Sequence, residues 1–344
     1  MFKKVFQIGN ILIINFFIIL ICFILIEIFS GDLIFKKGLK CSYVLCNANY
    51  NYTTDLYSKT KIKIKYLKDE NGFRGRTNEI DKINILTVGG STTDERYLNL
   101  NDTWSEKLEK LFFNKSVKID VVNAGIDGQS TYGHIWNFNN WFNKIEKLKI
   151  DYIIFYVGIN EKKQPGRHDL DISKVRYPKK ILYILKYNNG LTSKIYEFLV
   201  HKKNPIDELN VAHSKNRKTN YVKVDSNIQY EFNSLGNNIE KLITLTKNLG
   251  AKPIFVTQKT LRWKKKNDEI YSISKKENFF MREKKISEII LNKCKIFKIF
   301  CLDGFKGIKL NLEDTYDLVH TSPSGSQKIA YFIFSNIREN INFN

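Results

Sequence analysis

The chain has 344 residues, enough for one large domain or two small ones, and its 43% hydrophobic content excludes a disordered polymer. Its formal net charge of +21 raises the question of a nucleic-acid partner. The basic residues are scattered singly and in pairs, without zinc-finger spacing, an RNA-binding aromatic pattern or a basic zipper helix, so no nucleic acid is expected. Attraction to anionic lipid headgroups or acidic polysaccharide suits the charge better.

In chain order, a short N-terminal tail, residues 1–7, carries Lys3 and Lys4, and residues 8–29 contain the run ILIINFFIILICFILIEIF. At 1.5 Å per residue that run spans about 28 Å, close to the ~30 Å hydrocarbon core of a bilayer, and predicts one transmembrane helix. A cleaved signal peptide is the competing reading; the run exceeds the usual h-region, and IFSGD is a poor small-x-small cleavage site. The expected protein is therefore single-pass, held to the membrane by its N-terminal helix, with its catalytic domain extracytoplasmic (periplasmic). Lys36, Lys37 and Lys40 offset Lys3 and Lys4 and leave the orientation open. Residues 30–80, rich in Lys, Asn and Tyr, read as a juxtamembrane linker. Cys41 with Cys46, and Cys294 with Cys301, form two close pairs that are either disulfides or unpaired thiols. Neither a C-x-x-C nor a Cys/His cluster argues for a metal, and no cofactor is expected.

From residue 81 to 340 the pattern is regular. The strand-length apolar runs INILTV (83–88), VKIDVVN (117–123), DYIIFYV (151–157) and KPIFVT (252–257) alternate with segments of helical period. That alternation predicts a parallel sheet covered by helices on both faces. Thr103 with Glu106 fits a capping box, Ser322 with Pro323 fits an N-cap and first turn, and Gly250 ends a helix over 229–249. Residues 162–226, basic, aromatic and irregular, read as an insertion that either shapes a substrate site or is a solvent-exposed excursion.

Ser91 directly follows a strand in VGGSTTDE, where Gly89 and Gly90 let the backbone bend sharply. Thr93 replaces the last glycine of a G-x-S-x-G elbow, and no lysine makes the segment a phosphate-binding loop. Taken alone, GGST reads more readily as a helix N-cap than as a catalytic loop. Asp317 and His320 stand three apart before the final helix, close enough for the carboxylate to orient the imidazole, although the same residues also suit a surface turn. Gly128 and Asn160 follow the second and third strands, and each is a turn residue or an oxyanion donor. His134, His168, His201 and His213 lack such a carboxylate and default to surface or structural roles.

The order of these four blocks resembles the SGNH, or GDSL-type, hydrolase family, over residues 81 to about 340. Gly90 and Thr92 stand where that family has the Asp and Leu of GDSL; Gly128 and Asn160 match the second and third blocks, and Asp317 with His320 the last, followed by Pro323 and Gly325. The upstream NGFRG is similar to the lead-in of membrane-anchored bacterial members. The resemblance implies a flavodoxin-like three-layer α/β/α sandwich with a parallel central sheet. It also implies a serine esterase with Ser91 as nucleophile, His320 as base, Asp317 as its orienting acid, and Ser91, Gly128 and Asn160 as oxyanion hole. Glu161, where many relatives have Asp, is expected to alter packing more than mechanism. The expected substrate is an ester-bearing glycan or lipid, above all O-acetyl groups of envelope carbohydrate. Acyl transfer to surface polysaccharide and a non-catalytic glycan-binding scaffold are the alternatives.

Overall fold

The structure is a computed structural model that describes residues 2–30, 44–75, 77, 79–162, 220–225 and 230–343. The chain divides into two units, one of residues 1–46 with 175–205 and one of residues 47–174 with 206–344. The first contains helix α1, Phe2–Ser30, whose side chains from Ile11 to Leu25 are largely exposed. Among the described residues, no helix is long and apolar enough to cross a membrane. The expected transmembrane helix at 8–29 and the single-pass, periplasm-facing localisation are corrected accordingly.

The second unit opens with a hairpin inside the stretch read as a linker. Strands β1 (Asn49–Thr54) and β2 (Ile62–Leu67) pair antiparallel, Asn49 opposite Leu67 and Thr54 opposite Ile62. The period-2 alternation of IKIKYL turns Ile64 and Tyr66 inward and the lysines between them outward.

The elements that follow are β3 (Ile83–Gly89), α2 (Ser91–Asp94), α3 (Trp104–Phe113), β4 (Val121–Asn123), α4 (Thr131–Asn140) and β5 (Ile150–Val157). After the insertion come β6 (Val222–Lys223), α5 (Leu235–Asn248), β7 (Lys252–Thr257), β8 (Trp263–Lys266), β9 (Glu269–Ser272), α6 (Phe279–Phe297), β10 (Phe300–Leu302), α7 (Gly304–Gly307) and α8 (Pro323–Ile337). Strands β4-β3-β5-β7-β10 form one sheet, and every neighbouring pair is parallel. Counted among these five, the order is 2-1-3-4-5, the flavodoxin-like arrangement whose switch point lies between β3 and β5. Strands β6, β9 and β8 form a separate antiparallel sheet. The expected insertion falls almost wholly on residues 163–219 and 226–229, outside the described residues.

Alternation along the strands builds two apolar layers. Ile85, Ile154, Tyr156, Ile254 and Val256 meet α3 and α8 through Trp104, Leu108, Phe112, Ile333 and Phe334, with Phe112 edge-on to Phe334 at 4.9 Å between ring centroids. On the opposite face Phe155 stacks on Phe255 at 4.6 Å and meets Phe138 of α4, while α5 and α6 cover β7. Helix ends follow the sequence signals in part. Thr103 accepts from the Glu106 amide and Ser322 precedes Pro323 at N1, but Ser322 makes no side-chain cap bond, donating its hydroxyl to the Glu313 carbonyl. A disulfide joins Cys294, in the last turn of α6, to Cys301 in β10; Cys46 is also disulfide-bonded, and Cys41 lies outside the described residues.

Where β4 ends, the chain passes so close to α2 that a side chain at Gly125 would overlap the backbone of Thr93 and Asp94. Gly125→Ala is therefore expected to push α2 aside at a cost of about 1–3 kcal/mol. A thermal melt should show a lowered Tm, and a variant melting like the wild type would refute this reading of the contact.

Candidate active site

The bend after β3 sets the position of Ser91. Gly90 is the N-cap residue of α2 and Ser91 its first helical residue, so the serine side chain is not spent on capping. A Cβ at Gly90 would meet Asn160 Nδ2 at 2.5 Å and the Gln129 carbonyl at 3.2 Å. Glycine is what lets the ends of β3 and β5 and the β4–α4 loop converge on the serine.

The loop from Thr315 to Thr321 closes on itself. Thr315 and Thr321 bridge its ends, and the Tyr316 amide donates to the His320 carbonyl at 3.1 Å. Inside it, Asp317 Oδ1 accepts the amides of Val319 at 3.0 Å and His320 at 2.7 Å, which fixes the carboxylate. Its other oxygen stands 2.5 Å from His320 Nδ1, and His320 Nε2 stands 2.8 Å from Ser91 Oγ. A carboxylate against Nδ1 selects the tautomer protonated there and leaves Nε2 to accept the serine proton. Burial pulls the imidazole pKa down, but the hydrogen bond and charge of Asp317 outweigh it and hold His320 above its ordinary 6.5. Burial likewise pushes Asp317 up, and its bonds to His320 and Val319 return it to below the usual 3.8. The result is a polarised chain of carboxylate, imidazole and hydroxyl.

The other two expected residues flank that chain. Asn160, just past β5, donates from Nδ2 to the Gln129 carbonyl at 3.1 Å, which keeps the same amide nitrogen beside Gly90. Gly128 occupies the turn after β4 with φ 73°, in a loop fastened to β3 by the Ile126 amide on the Gly89 carbonyl at 3.0 Å. Glu161 is buried and points away from this cluster. Its carboxylate accepts the amide and hydroxyl of Thr131 at the start of α4, each at 2.9 Å. His134 is buried in α4, and His168, His201 and His213 lie outside the described residues. Among the described residues no group of three or more His, Cys, Asp or Glu side chains is placed to hold a metal ion.

Glu95, Asp94, Tyr66, Lys68 and Arg74, to which the sequence reading gave no role in the site, hold the serine turn in place. Glu95 leaves α2 in the left-handed region at φ 44° and is buried. One carboxylate oxygen accepts the Trp104 amide at 2.7 Å; the other accepts the hydroxyls of Thr321, at 2.8 Å, and Ser326. A single side chain thus ties the turn after Ser91 to the residue after His320. Burial raises its pKa to about 7, despite the Ser326, Thr321 and Trp104 hydrogen bonds that favour the charged form. Asp94 beside it accepts the Tyr66 hydroxyl at 2.8 Å and pairs with Lys68 at 3.6 Å. Arg74 donates to the carbonyls of Asp94 and Leu98 and lies over the Tyr66 ring, 4.5 Å from its centroid. Only NGFRG hinted at this role, and its Arg74 is the residue that clamps the turn.

No family model matches the chain, and no curated protein does. Similar solved structures are a lipolytic G-D-S-L family protein from Veillonella parvula, 15% identical over 74% of this chain and 98% of that one, TM-score 0.42; a putative acylhydrolase from Bacteroides fragilis, 14% identical over 78% and 90%, TM-score 0.41; and an acetyl xylan esterase from Geobacillus stearothermophilus, 14% identical over 77% and 100%, TM-score 0.43.

Proposed function

We propose that the chain is a serine hydrolase of carboxylic esters, with Ser91 as nucleophile. The observation that carries this reading is the continuous hydrogen-bonded line from Asp317 Oδ2 through His320 to Ser91 Oγ, with links of 2.5 and 2.8 Å. A solvated surface turn has no need of a carboxylate fixed by two backbone amides, nor of an imidazole aimed at a serine 229 residues away in sequence.

In the proposed reaction Ser91 Oγ forms a bond to the ester carbonyl carbon while its proton passes to His320 Nε2. The carbonyl oxygen becomes an alkoxide, and the Ser91 amide at the first turn of α2, the Gly128 amide and Asn160 Nδ2 donate to it. Collapse breaks the carbon–oxygen bond to the alcohol, which leaves with the proton returned by His320. Water, deprotonated by the same imidazole, then attacks the acyl-enzyme; Ser91 departs as the leaving group and regains its proton. Asp317 stays ionised throughout and supports the transient imidazolium. The acyl group is proposed to be small, an acetyl above all, carried on carbohydrate or lipid.

Ser91→Ala is expected to lower turnover of p-nitrophenyl acetate to the uncatalysed background. Asn160→Ala should lose about 10²–10³ in kcat through one missing oxyanion donor while still melting cooperatively as a folded protein, with a Tm lowered modestly by the lost bond to the Gln129 carbonyl. Wild-type rates in the purified Ser91→Ala protein would end the proposal.

The pH dependence follows from the direction of the His320 shift. The imidazole must be neutral to accept the serine proton, and its pKa lies above the ordinary 6.5. Hence kcat/KM should rise with pH along a single-proton limb whose midpoint is higher than that of an unperturbed histidine. Asp317→Asn removes the raising interaction and should move the midpoint down as the rate falls. A midpoint at or below 6.5 in the wild type would contradict the assignment of His320 as base.

A further inference from the structure

An oxyanion donor works only when it stands about 2.7–3.1 Å from the place where charge develops. Asn160 carries its donor on a rotatable side chain, in the turn just past β5. The backbone of that turn therefore decides whether the amide is in reach.

The chain leaves β5 through Gly158, at φ 135°, a conformation open to glycine. It then runs against α6, where a Cβ on Gly158 would meet Ile286 Cγ2 at 3.0 Å. Arg282 lies one turn before Ile286 on the same face of α6. From that face its guanidinium donates to the Ile159 carbonyl at 3.1 Å and to the Glu161 carbonyl at 2.7 Å. One planar cation thus holds the carbonyls on either side of Asn160, through charge-assisted bonds that are stronger than neutral ones. Asn278 caps α6, so Arg282 sits in its first turn, where the macrodipole disfavours a positive charge. The helix gains nothing from a guanidinium there; the turn after β5 does.

Gln258, buried just past β7, braces the same turn from the sheet. Its Oε1 accepts the Ile159 amide at 2.8 Å, and its Nε2 donates to Thr92 Oγ1 at 2.8 Å and to the Tyr156 carbonyl at 3.1 Å. A single side chain joins the residue before Asn160 to the residue after Ser91. Gln129, whose carbonyl accepts from Asn160, is itself fixed by a reciprocal amide pair with Asn137, at 2.8 and 3.2 Å.

We infer that Arg282, supported by Gln258, is a positioning residue that fixes the backbone on both sides of Asn160 and so sets where the side-chain amide meets the oxyanion. The inference rests on the esterase reading for the use made of Asn160, while the clamp on the backbone stands on the hydrogen bonds themselves.

Loss of the clamp should lower kcat and leave KM nearly unchanged, because the oxyanion forms only beyond the ground state. With p-nitrophenyl acetate, Arg282→Met is expected to lose about 10–100-fold in kcat, since a misplacement of about 1 Å can cost ~10². Arg282→Lys keeps the charge and should recover part of that rate; it carries the same comparison if the methionine variant does not fold. In an Asn160→Ala background the Arg282 change should cost less than about twofold, because no donor is left to position. Hydrogen exchange read by mass spectrometry should be faster in the peptide covering residues 158–162 of the folded variant than in the wild type. Equal losses in both backgrounds, or a raised KM with kcat intact, would overturn the positioning role and leave the esterase standing. Unchanged exchange would overturn the clamp itself. A wild type no faster than Ser91→Ala would overturn the esterase and, with it, the catalytic purpose of the clamp.

Discussion

The buried carboxylate of Glu95 accepts hydrogen bonds from three places: the first turn of α3, the residue after His320, and the first turn of α8. A desolvated carboxylate is costly unless its acceptor sites are filled. The side chain therefore enforces the approach of all three segments, and with it the approach of the loop bearing His320 to the turn bearing Ser91. Asp94, one residue earlier, does the same toward the hairpin through Tyr66 and Lys68. Two consecutive acidic residues behind the serine thus fix it from both flanks, and the 2.8 Å contact between Ser91 and His320 is the outcome.

The sheet supplies the remaining order. In a 2-1-3-4-5 parallel sheet the chain leaves β3 toward one edge and later returns to the other side as β5, opening a crevice at the carboxyl ends of these two strands. Ser91 follows β3 and Asn160 follows β5, so they face one another across that crevice, while the β4–α4 loop brings Gly128 to its edge. The close passages at Gly90 and Gly125 let these loops converge, which is why strands that pair in ordinary register end in a compact polar cluster.

Much of this was legible because chemistry of this kind needs specific side chains just after strands. The runs at 83–88, 151–157 and 252–257 are strands nearly residue for residue, and Asp317 and Ser91 each lie within hydrogen-bonding distance of His320. Strand β10 escaped notice because its three residues continue the apolar pattern at the end of α6 without a turn signal of their own. The hairpin was read as linker because its first strand, NYNYTT, alternates Asn with Tyr and carries no aliphatic residue, though Ile64 and Tyr66 of its second strand are among the most buried side chains. Glu95 could not be singled out, because an acidic residue after STTD looks like an exposed helix end; only the fold closes Trp104, Thr321 and Ser326 around it. The apolar run near the N-terminus illustrates the converse case: its hydropathy suggested a span, whereas among the described residues no helix is long and apolar enough to cross a membrane.

The central claim, that the line from Asp317 through His320 makes Ser91 a nucleophile, is tested most directly by trapping it. Reaction of the purified chain with a fluorophosphonate, followed by intact-mass and peptide mapping, should give one adduct on the peptide carrying Ser91, abolished in Ser91→Ala and strongly slowed in His320→Ala. Absence of an adduct on the folded wild-type protein, or equal labelling of Ser91→Ala, would contradict the account.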